Sequence, residues 1–257
     1  MEASVVLLED LIKALFAAVQ YAIGNETNLA VAFSGGLDSS LLAKICKDIR
    51  ADVTLLTVGF SESLDISFSK DIASKMNLPH KVMELNTDIF TENANQIFNK
   101  IKCNVTSHIE NCIGFFFIGR FARDNGFRTV LTANGCDELF CGYDRFRSAY
   151  NRGEKVLMKL MDRTLENEFE LMQEIDPILN ELGIMLLQPF LTSEFISFAK
   201  NIPIDQKIIG PTDTVRKHIL RQVAISINVP VQAAMQRKKA LQYSSLIHKN
   251  FCKLRMG

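Results

Sequence analysis

The chain has 257 residues, of which 47% are apolar, and it carries 29 basic and 29 acidic residues, so its formal net charge is zero. This length and apolar content suit one large domain or two small ones with a substantial core. The neutral balance argues against a polyanionic partner, which makes nucleic acid an unfavoured ligand, and against an electrostatic membrane anchor. The apolar stretches are too short to cross a bilayer and no secretion leader follows Met1, so we expect a cytoplasmic protein with no membrane contact.

The first half of the chain alternates short apolar segments with segments of helical periodicity. Helices are predicted over residues 5–23, 38–49, 65–76, 87–101 and 109–124, and strands over residues 28–33, 53–58, 81–85 and 128–131. Strands that alternate with helices predict an α/β fold in which a parallel sheet is covered by helices on both faces.

The second half of the chain shows helical periodicity and no convincing strand. Helices are predicted over residues 154–180, 192–200, 212–227 and 244–252. We therefore expect an α/β domain over residues 1–150, including its N-terminal helix, and a helical part over residues 151–257 that completes the site. Six cysteines are present without C-x-x-C spacing, and they are predicted to be free thiols, several of them buried.

The segment 34–40, Ser-Gly-Gly-Leu-Asp-Ser-Ser, links a predicted buried strand to a predicted helix. Gly35 and Gly36 allow the backbone to approach a ligand closely, and the N–H groups of the first helical turn face the loop. The hydroxyls of Ser34, Ser39 and Ser40 add donors, so the segment predicts a phosphate-binding loop at a helix N-terminus. Asp38 would repel a phosphate unless it held a cation, which implies Mg²⁺.

The segment 131–143, Leu-Thr-Ala-Asn-Gly-Cys-Asp-Glu-Leu-Phe-Cys-Gly-Tyr, also follows a predicted strand. Ligands bind outside the carboxyl ends of parallel strands, so this loop is expected to lie beside the first one. Asp137 is therefore predicted to complete a magnesium site with Asp38. The alternative for Asp137 and Glu138 is an acidic first turn of a short helix without ligand chemistry.

The first segment resembles the SGGxDS signature of the N-type ATP pyrophosphatases, also called PP-loop proteins, whose fold is that of the adenine nucleotide alpha hydrolases. The second segment resembles the SGxGxDExFxGY pattern of the asparagine synthetase branch, and it matches at Gly135, Asp137, Glu138, Leu139, Phe140, Gly142 and Tyr143. It departs from the pattern at residues 132–134, where Thr-Ala-Asn replaces Ser-Gly-Glu. Asn134 stands where the family places an acidic residue near the aspartate substrate.

Three segments of the second half also resemble this family: Gln-Pro-Phe-Leu at 188–191, Lys-His-Ile-Leu-Arg at 217–221, and Arg-Lys-Lys-Ala-Leu-Gln-Tyr-Ser at 237–244. The resemblance implies that the segment 217–221 packs near the active site. It also implies that a lysine of 237–244 contacts the phosphates or the acyl-adenylate. Lys239 is the first choice for that role and Lys238 the second.

The resemblance implies ATP and Mg²⁺ as cofactors and a ligase that adenylylates a carboxylate, the β-carboxylate of aspartate in the simplest case, before an amine such as ammonia replaces AMP. Val58 and Gly59 are expected to border adenine, and Ala133, Asn134 and Gly135 to line the nucleotide site. Asp137 and Glu138 join the two lysines as candidate catalytic residues.

Asparagine synthetases that use glutamine carry an N-terminal glutaminase with an exposed cysteine after the initiator methionine, whereas residue 2 here is Glu2. We therefore expect a stand-alone form, supplied with ammonia from solution or from a separate glutaminase subunit. Two alternatives stay open. One is a tRNA-modifying PP-loop enzyme, for which Cys136 and Cys141 form the one close cysteine pair. The other is a non-catalytic ATP-binding regulatory protein of the same fold.

Overall fold

The computed structural model describes residues 2–49, 51–237 and 245–256 of the chain. The strands are β1 (Leu29–Ala32), β2 (Val53–Phe60), β3 (His80–Leu85), β4 (Thr129–Leu131) and β5 (Met185–Leu187). The helices of the first half are α1 (Glu2–Ile23), α2 (Leu37–Asp48), α3 (Leu64–Met76), α4 (Thr87–Phe98), α5 (Thr106–Asp124), α6 (Cys136–Leu139) and α7 (Asp144–Ala149). The later helices are α8 (Glu154–Glu181), α9 (Ser193–Lys200), α10 (His218–Ser226), α11 (Val231–Ala234) and α12 (Ile247–Met256).

The five strands form one parallel sheet in the order β3-β2-β1-β4-β5. The central strand β1 is entirely apolar, and its Val31 lies opposite Leu55 of β2 and Leu131 of β4. Strands that are buried on both faces need such continuous apolar runs, since helices cover the sheet on each side. The α/β fold with a parallel sheet, predicted from the alternation of elements, is confirmed.

The expectation that the second half holds no strand is wrong, because β5 lies there and pairs with β4, with Val130 opposite Leu186. A strand of three residues offers no alternation to detect, and a short apolar run at an edge cannot be distinguished from the start of a helix. The sheet thus takes an edge strand from beyond residue 150. The division of the chain at that position stays a prediction.

The helix predicted over residues 212–227 is shorter than expected, since α10 covers only His218–Ser226. The Asp213 carboxylate accepts hydrogen bonds from the backbone N–H groups of Val215 and Arg216, both at 3.0 Å, and so holds these residues in a turn. An aspartate that binds nearby backbone N–H groups competes with the helix in this way.

The long helix α5 supplies much of the core, with Ile113 and Phe117 fully buried beneath the sheet. All six cysteines are free thiols, as predicted, and four are buried: Cys46, Cys112, Cys136 and Cys141. Within the described residues, every helix is too short or too polar to span a bilayer.

Candidate active site at the carboxyl ends of the central strands

The loop between β1 and α2 is held by its own serine residues. The backbone N–H of Ser34 donates to Ser39 Oγ at 3.3 Å, and Ser40 Oγ donates to the Gly35 carbonyl oxygen at 3.0 Å. Helix α2 starts after Gly36 without a side chain that caps its first turn. Its first N–H groups therefore stay available to an anion at the positive end of the helix dipole.

Gly35 is required by the geometry of this loop. Its φ angle is +77°, a left-handed conformation that side chains with a Cβ rarely adopt. A Cβ at this position would also lie 3.0 Å from the Cα of Ser69 in α3. The loop therefore packs closely against α3, and a larger residue at 35 would push the two apart.

A buried lysine joins the two loops that the sequence singled out. Lys217 Nζ lies 2.5 Å from Asp38 Oδ2 and 2.6 Å from Asp137 Oδ1, and only 3% of the lysine side chain is exposed. Burial would lower the pKa of Lys217, but the carboxylates of Asp137 and Asp38 outweigh burial and raise this pKa above its ordinary value. The lysine is therefore charged, and we call these three residues the lysine clamp.

The turn that presents Lys217 is conformationally unusual. Arg216 and Lys217 are consecutive non-glycine residues with φ angles of +52° and +54°. Burial would raise the pKa of Asp213, but bonds from the backbone N–H groups of Arg216 and Ile209, among others, lower it to about 2. Left-handed residues of this kind cost free energy and tend to occur where function requires them. The Asp213 carboxylate thus holds the strained turn that directs Lys217 at the aspartates.

Gly142 lies against the lysine clamp. A Cβ at this position would overlap Asp137 Oδ1 and Lys217 Cε. Its carbonyl oxygen accepts a hydrogen bond at 3.0 Å from Arg216 Nε. The absence of a side chain at residue 142 therefore makes room for the clamp.

A cavity of about 540 Å³ opens on the α2 side of the clamp. Its wall includes Ser34, residues 36–39 and four basic residues from the second half of the chain: Arg216, Lys217, Arg221 and Arg237. Arg221 is fixed by hydrogen bonds to backbone carbonyl oxygens, among them those of Ala234 at 2.6 Å and Val215 at 2.6 Å. An uncapped helix N-terminus facing fixed cations is an arrangement suited to a polyphosphate.

A second cavity of about 460 Å³ shares Ser34, Asp38 and Ser39 with the first, and its lining includes Val58 of β2 and residues of α8. Glu138 lines it and accepts hydrogen bonds from the Gly135 N–H at 3.1 Å and from the Tyr143 hydroxyl. Burial and the neighbouring carboxylates of Glu168 and Asp137 raise the pKa of Glu138 to about 8. A carboxyl group that titrates near neutral pH can take up or release a proton there.

The Asn134 side chain lies in the second cavity, where its amide donates a hydrogen bond to Glu168 of α8. Glu168 is 9% exposed, so the amide satisfies a carboxylate that is otherwise largely removed from water. Asn134, the residue that departs from the family pattern, thus contacts an acidic residue of the helical half.

The structure places many of the predicted residues on these cavities. Ser34, Gly36, Asp38 and Ser39 line the first, and Val58, Ala133, Asn134, Asp137 and Glu138 line the second. Four line neither: Gly35, Ser40, Gly59 and Gly135. Ser40 is fully buried behind the loop, and the Gly135 N–H is bound to Glu138. Lys238 and Lys239 lie outside the described residues, so their role stays a prediction.

Sequence reasoning placed Lys217 near the site but assigned it no role. Its position in the segment 217–221 indicated that Lys217 lies near the site. Its partners Asp38 and Asp137 are 179 and 80 residues away along the chain, so no local pattern could indicate the ion pairs. Arg216, Glu168 and Asp213 were not singled out at all. Charged residues are usually solvated, and burial of a charge cannot be read from a local pattern.

The paired cysteines required by a tRNA-modifying enzyme have the wrong environment. Cys136 and Cys141 are both fully buried, and burial raises the pKa of the Cys141 thiol to about 12. Since the thiolate is the reactive form, neither thiol is suited to sulfur transfer in this conformation.

Comparisons with known proteins agree with the site. The sequence model of the asparagine synthase family matches residues 10–176 and 165–255. The chain is 28% identical to the "Putative asparagine synthetase (glutamine-hydrolyzing) 1" of Methanocaldococcus jannaschii, over 92% of this chain and 49% of that protein. It is 24% identical to the glutamine-hydrolyzing asparagine synthetase of Rattus norvegicus, over 86% of this chain and 40% of that protein.

Among solved structures, a predicted subunit of a tRNA methyltransferase from Methanocaldococcus jannaschii aligns with 83% of this chain and 94% of its own, with a TM-score of 0.40 and 15% identity. The chain spans about half the length of the first curated relative and less of the second. The family match extends over both the α/β and the helical halves and includes the loop, the acidic segment and the clamp lysine. The chain belongs to the asparagine synthase family.

Proposed function

We propose that this chain is an ATP-dependent amide-forming ligase, with the triphosphate of ATP along the first cavity and the nucleoside and acyl substrate in the second. The lysine clamp is the observation that carries this proposal. It brings a buried ammonium group and two carboxylates to the junction of the two cavities, beside a helix N-terminus. The α-phosphorus of ATP would lie at such a junction.

The donor set fits a magnesium ion. Asp38 Oδ1 is buried and has no hydrogen-bond partner within the described part of the chain. The two aspartates and Lys217 together leave one negative charge, so a divalent cation with oxygen ligands can be accommodated at Asp38 and Asp137. When bound there, Mg²⁺ would neutralise phosphate charge and orient the phosphates.

In the first step, a carboxylate oxygen of the substrate, in the simplest case the β-carboxylate of aspartate, attacks the α-phosphorus of ATP. The bond to the oxygen that bridges the α- and β-phosphates breaks, which gives an acyl-adenylate and pyrophosphate. Negative charge grows on the departing pyrophosphate, where Lys217, Arg216, Arg221 and Arg237 can stabilise it. Lys239, with Lys238 as second choice, is proposed to assist this step.

In the second step, an amine attacks the acyl carbon, the acyl–phosphate bond breaks, and AMP leaves. The carboxylates of Glu168 and Asp137 around the second cavity attract a nitrogen nucleophile that arrives as an ammonium ion. Its protons must be removed for attack, and Glu138, whose pKa is about 8, is suited to accept one. Ammonia is the simplest such nucleophile.

A non-catalytic ATP-binding role is the rival function. The observation that favours it is the clamp itself, since Lys217 forms ion pairs with both carboxylates that we assign to Mg²⁺. In that case ATP would bind without forming an adenylate.

Pyrophosphate release from Mg-ATP, measured across candidate carboxylates and amines, separates the two functions. We expect AMP and pyrophosphate as products and a large loss of activity in Asp38→Asn. Asp48, at the opposite end of α2 from Asp38, lines neither cavity, so Asp48→Asn is the matched control and should keep its activity. Formation of ADP and phosphate would overturn the assigned bond cleavage. Tight ATP binding with no pyrophosphate release for any carboxylate would establish the rival.

A further inference from the structure

A second cluster of ligand-type side chains lies away from the proposed ATP site, where the last helix meets α5. His248 and Cys252 are four residues apart on α12 and therefore share one face of this helix. Glu110 of α5 faces them, and its Oε1 lies 2.7 Å from His248 Nδ1. Cys252 Sγ lies 4.0 Å from the same nitrogen. The three ligand atoms all lie within 4.8 Å of one another.

Glu110 is the unusual member of this cluster. Its carboxylate is only 2% exposed, and it lies in a helix whose neighbouring residues Ile109 and Ile113 are buried. A carboxylate removed from water is costly unless hydrogen bonds or a cation compensate its charge. The histidine and the thiol are both oriented at this carboxylate from the opposite helix.

The chemistry of the three ligands matches zinc. Thiolate sulfur, imidazole nitrogen and carboxylate oxygen are the ligands that Zn²⁺ takes in proteins. With tetrahedral geometry and bonds of about 2.0–2.3 Å, neighbouring ligand atoms lie about 3.3–3.6 Å apart. The separations of 2.7 Å and 4.0 Å are within about 0.7 Å of that range, so small side-chain movements suffice.

The charges also balance, since Zn²⁺ would be neutralised by one thiolate and the Glu110 carboxylate, with a neutral imidazole as third ligand. His248 and Cys252 are each partly exposed, which leaves the fourth coordination position accessible to a water molecule. Binding requires the thiol to lose its proton, so it releases about one proton for each zinc ion.

We propose that Glu110, His248 and Cys252 form a zinc site that fastens α12 to α5. Ser245, shortly before α12, accepts a hydrogen bond from the backbone N–H of Phe60 at the end of β2, at 3.2 Å. The metal would therefore fix the chain directly after residues 238–244, the segment that carries Lys238 and Lys239. This site is independent of the function proposed above.

Metal titration of the full chain, first stripped with a chelator, tests this proposal. We expect one Zn²⁺ to bind with high affinity, with proton release, and Co²⁺ at the same site to show a thiolate-to-cobalt charge-transfer band. Cys252→Ser and His248→Ala should each weaken binding more than about 100-fold, because even residues behind metal ligands contribute 10- to 100-fold. Glu110→Gln keeps the side-chain shape and should weaken binding as well.

Cys103→Ser is the matched control, because Cys103 is also a partly exposed free thiol but lies outside the cluster. It should bind zinc like the parent. The variants at His248 and Cys252 should stay folded, since α12 is also anchored by Ile247 and Phe251, which are 1% and 2% exposed. Circular dichroism checks this.

The absence of stoichiometric zinc binding in the parent would overturn the proposal, and so would equal affinity in Cys252→Ser. Metal bound instead by the oxygens of Asp38 and Asp137 would give no thiolate band, and its affinity would be unchanged in Cys252→Ser. These two readouts therefore distinguish binding at the aspartates from binding at this cluster.

Discussion

Replacing Lys217 by methionine tests the lysine clamp, since it keeps an unbranched side chain of similar size and removes the charged amino group. In the parent, the ammonium group lies 2.5 Å and 2.6 Å from the oxygens of Asp38 and Asp137, whose side chains are 17% and 11% exposed. The variant leaves two largely buried carboxylates side by side without their cation. We expect it to lose both stability and catalysis.

The expected loss of stability follows from the burial of all three groups. Removing one partner of a buried ion pair costs about 3–5 kcal/mol, because a charge is then left unpaired in a poorly solvated place. For a protein of this size that corresponds to a melting temperature lower by roughly 6–20 °C. The raised pKa of Lys217 means that the ion pair contributes below pH ~10.4 and is lost only as pH rises through the higher folded-state value. The difference between parent and variant should therefore be constant from about pH 7 to 9.

Urea unfolding of parent and variant, together with pyrophosphate release and ATP titration, measures both effects. Lys207→Met is the matched control, since Lys207 is fully buried but donates to the Ala199 carbonyl oxygen at 2.7 Å instead of to carboxylates. We expect it to cost at most about 1 kcal/mol, because the parent already carries the desolvation cost of that lysine. Equal losses of stability in the two variants would refute the reasoning, since burial and not the ion pairs would then explain both.

Three further predictions test the surroundings of the clamp. Gly142→Ala should greatly reduce pyrophosphate release because its Cβ would displace the clamp, whereas Gly210→Ala, with open space around it, should behave like the parent. Burial lowers the pKa of Lys207 to about 8 in the folded protein, so from about pH 8 to 10.4 the unfolded chain binds more protons than the folded one. The free energy of unfolding, measured with urea, should therefore rise with pH over that range in the parent but not in Lys207→Met. Asp213→Asn should lose about 2 kcal/mol of stability at neutral pH and should slow pyrophosphate release. Its stability should approach that of the parent as pH falls from about 4 to 2, because the Asp213 carboxylate of the parent becomes protonated there.

The central strands of the parallel sheet could be predicted from sequence because they are buried on both faces. β1, β2 and β4 are short, largely apolar runs, whereas the edge strand β3 mixes polar and apolar residues and is mostly only partly buried. The alternation of such strands with segments of helical periodicity is a local pattern that reflects the long-range pairing. Strand β5 could not be predicted, since its place in the sheet is fixed by pairing with β4, more than 50 residues earlier in the chain. Likewise, the start of α10 depends on the Asp213 side chain, which overrides the periodicity of residues 212–227.

The binding loop could be predicted more completely than the charged groups around it. Ser34, Gly36 and Asp38 belong to one contiguous segment, and their chemistry follows from the geometry of a strand–loop–helix connection. The partners of Asp38 come from distant segments, and periodicity carries no information on which lysine is buried there. Asn134 shows the same limit, since its hydrogen bond to Glu168 joins the two halves of the chain.

The position of β5 has a consequence for synthesis of the protein on the ribosome. Strand β4 pairs with β1 on one side and with β5 on the other, and β5 is the last of the described strands to be translated. A nascent chain that ends shortly after residue 150 therefore has an open strand edge at β4, next to the acidic loop. Unpaired edges of this kind favour aggregation and the recruitment of chaperones until the missing strand is supplied. Ribosome-bound chains stalled before residue 185 should accordingly be more sensitive to protease than chains stalled after the whole sheet has emerged.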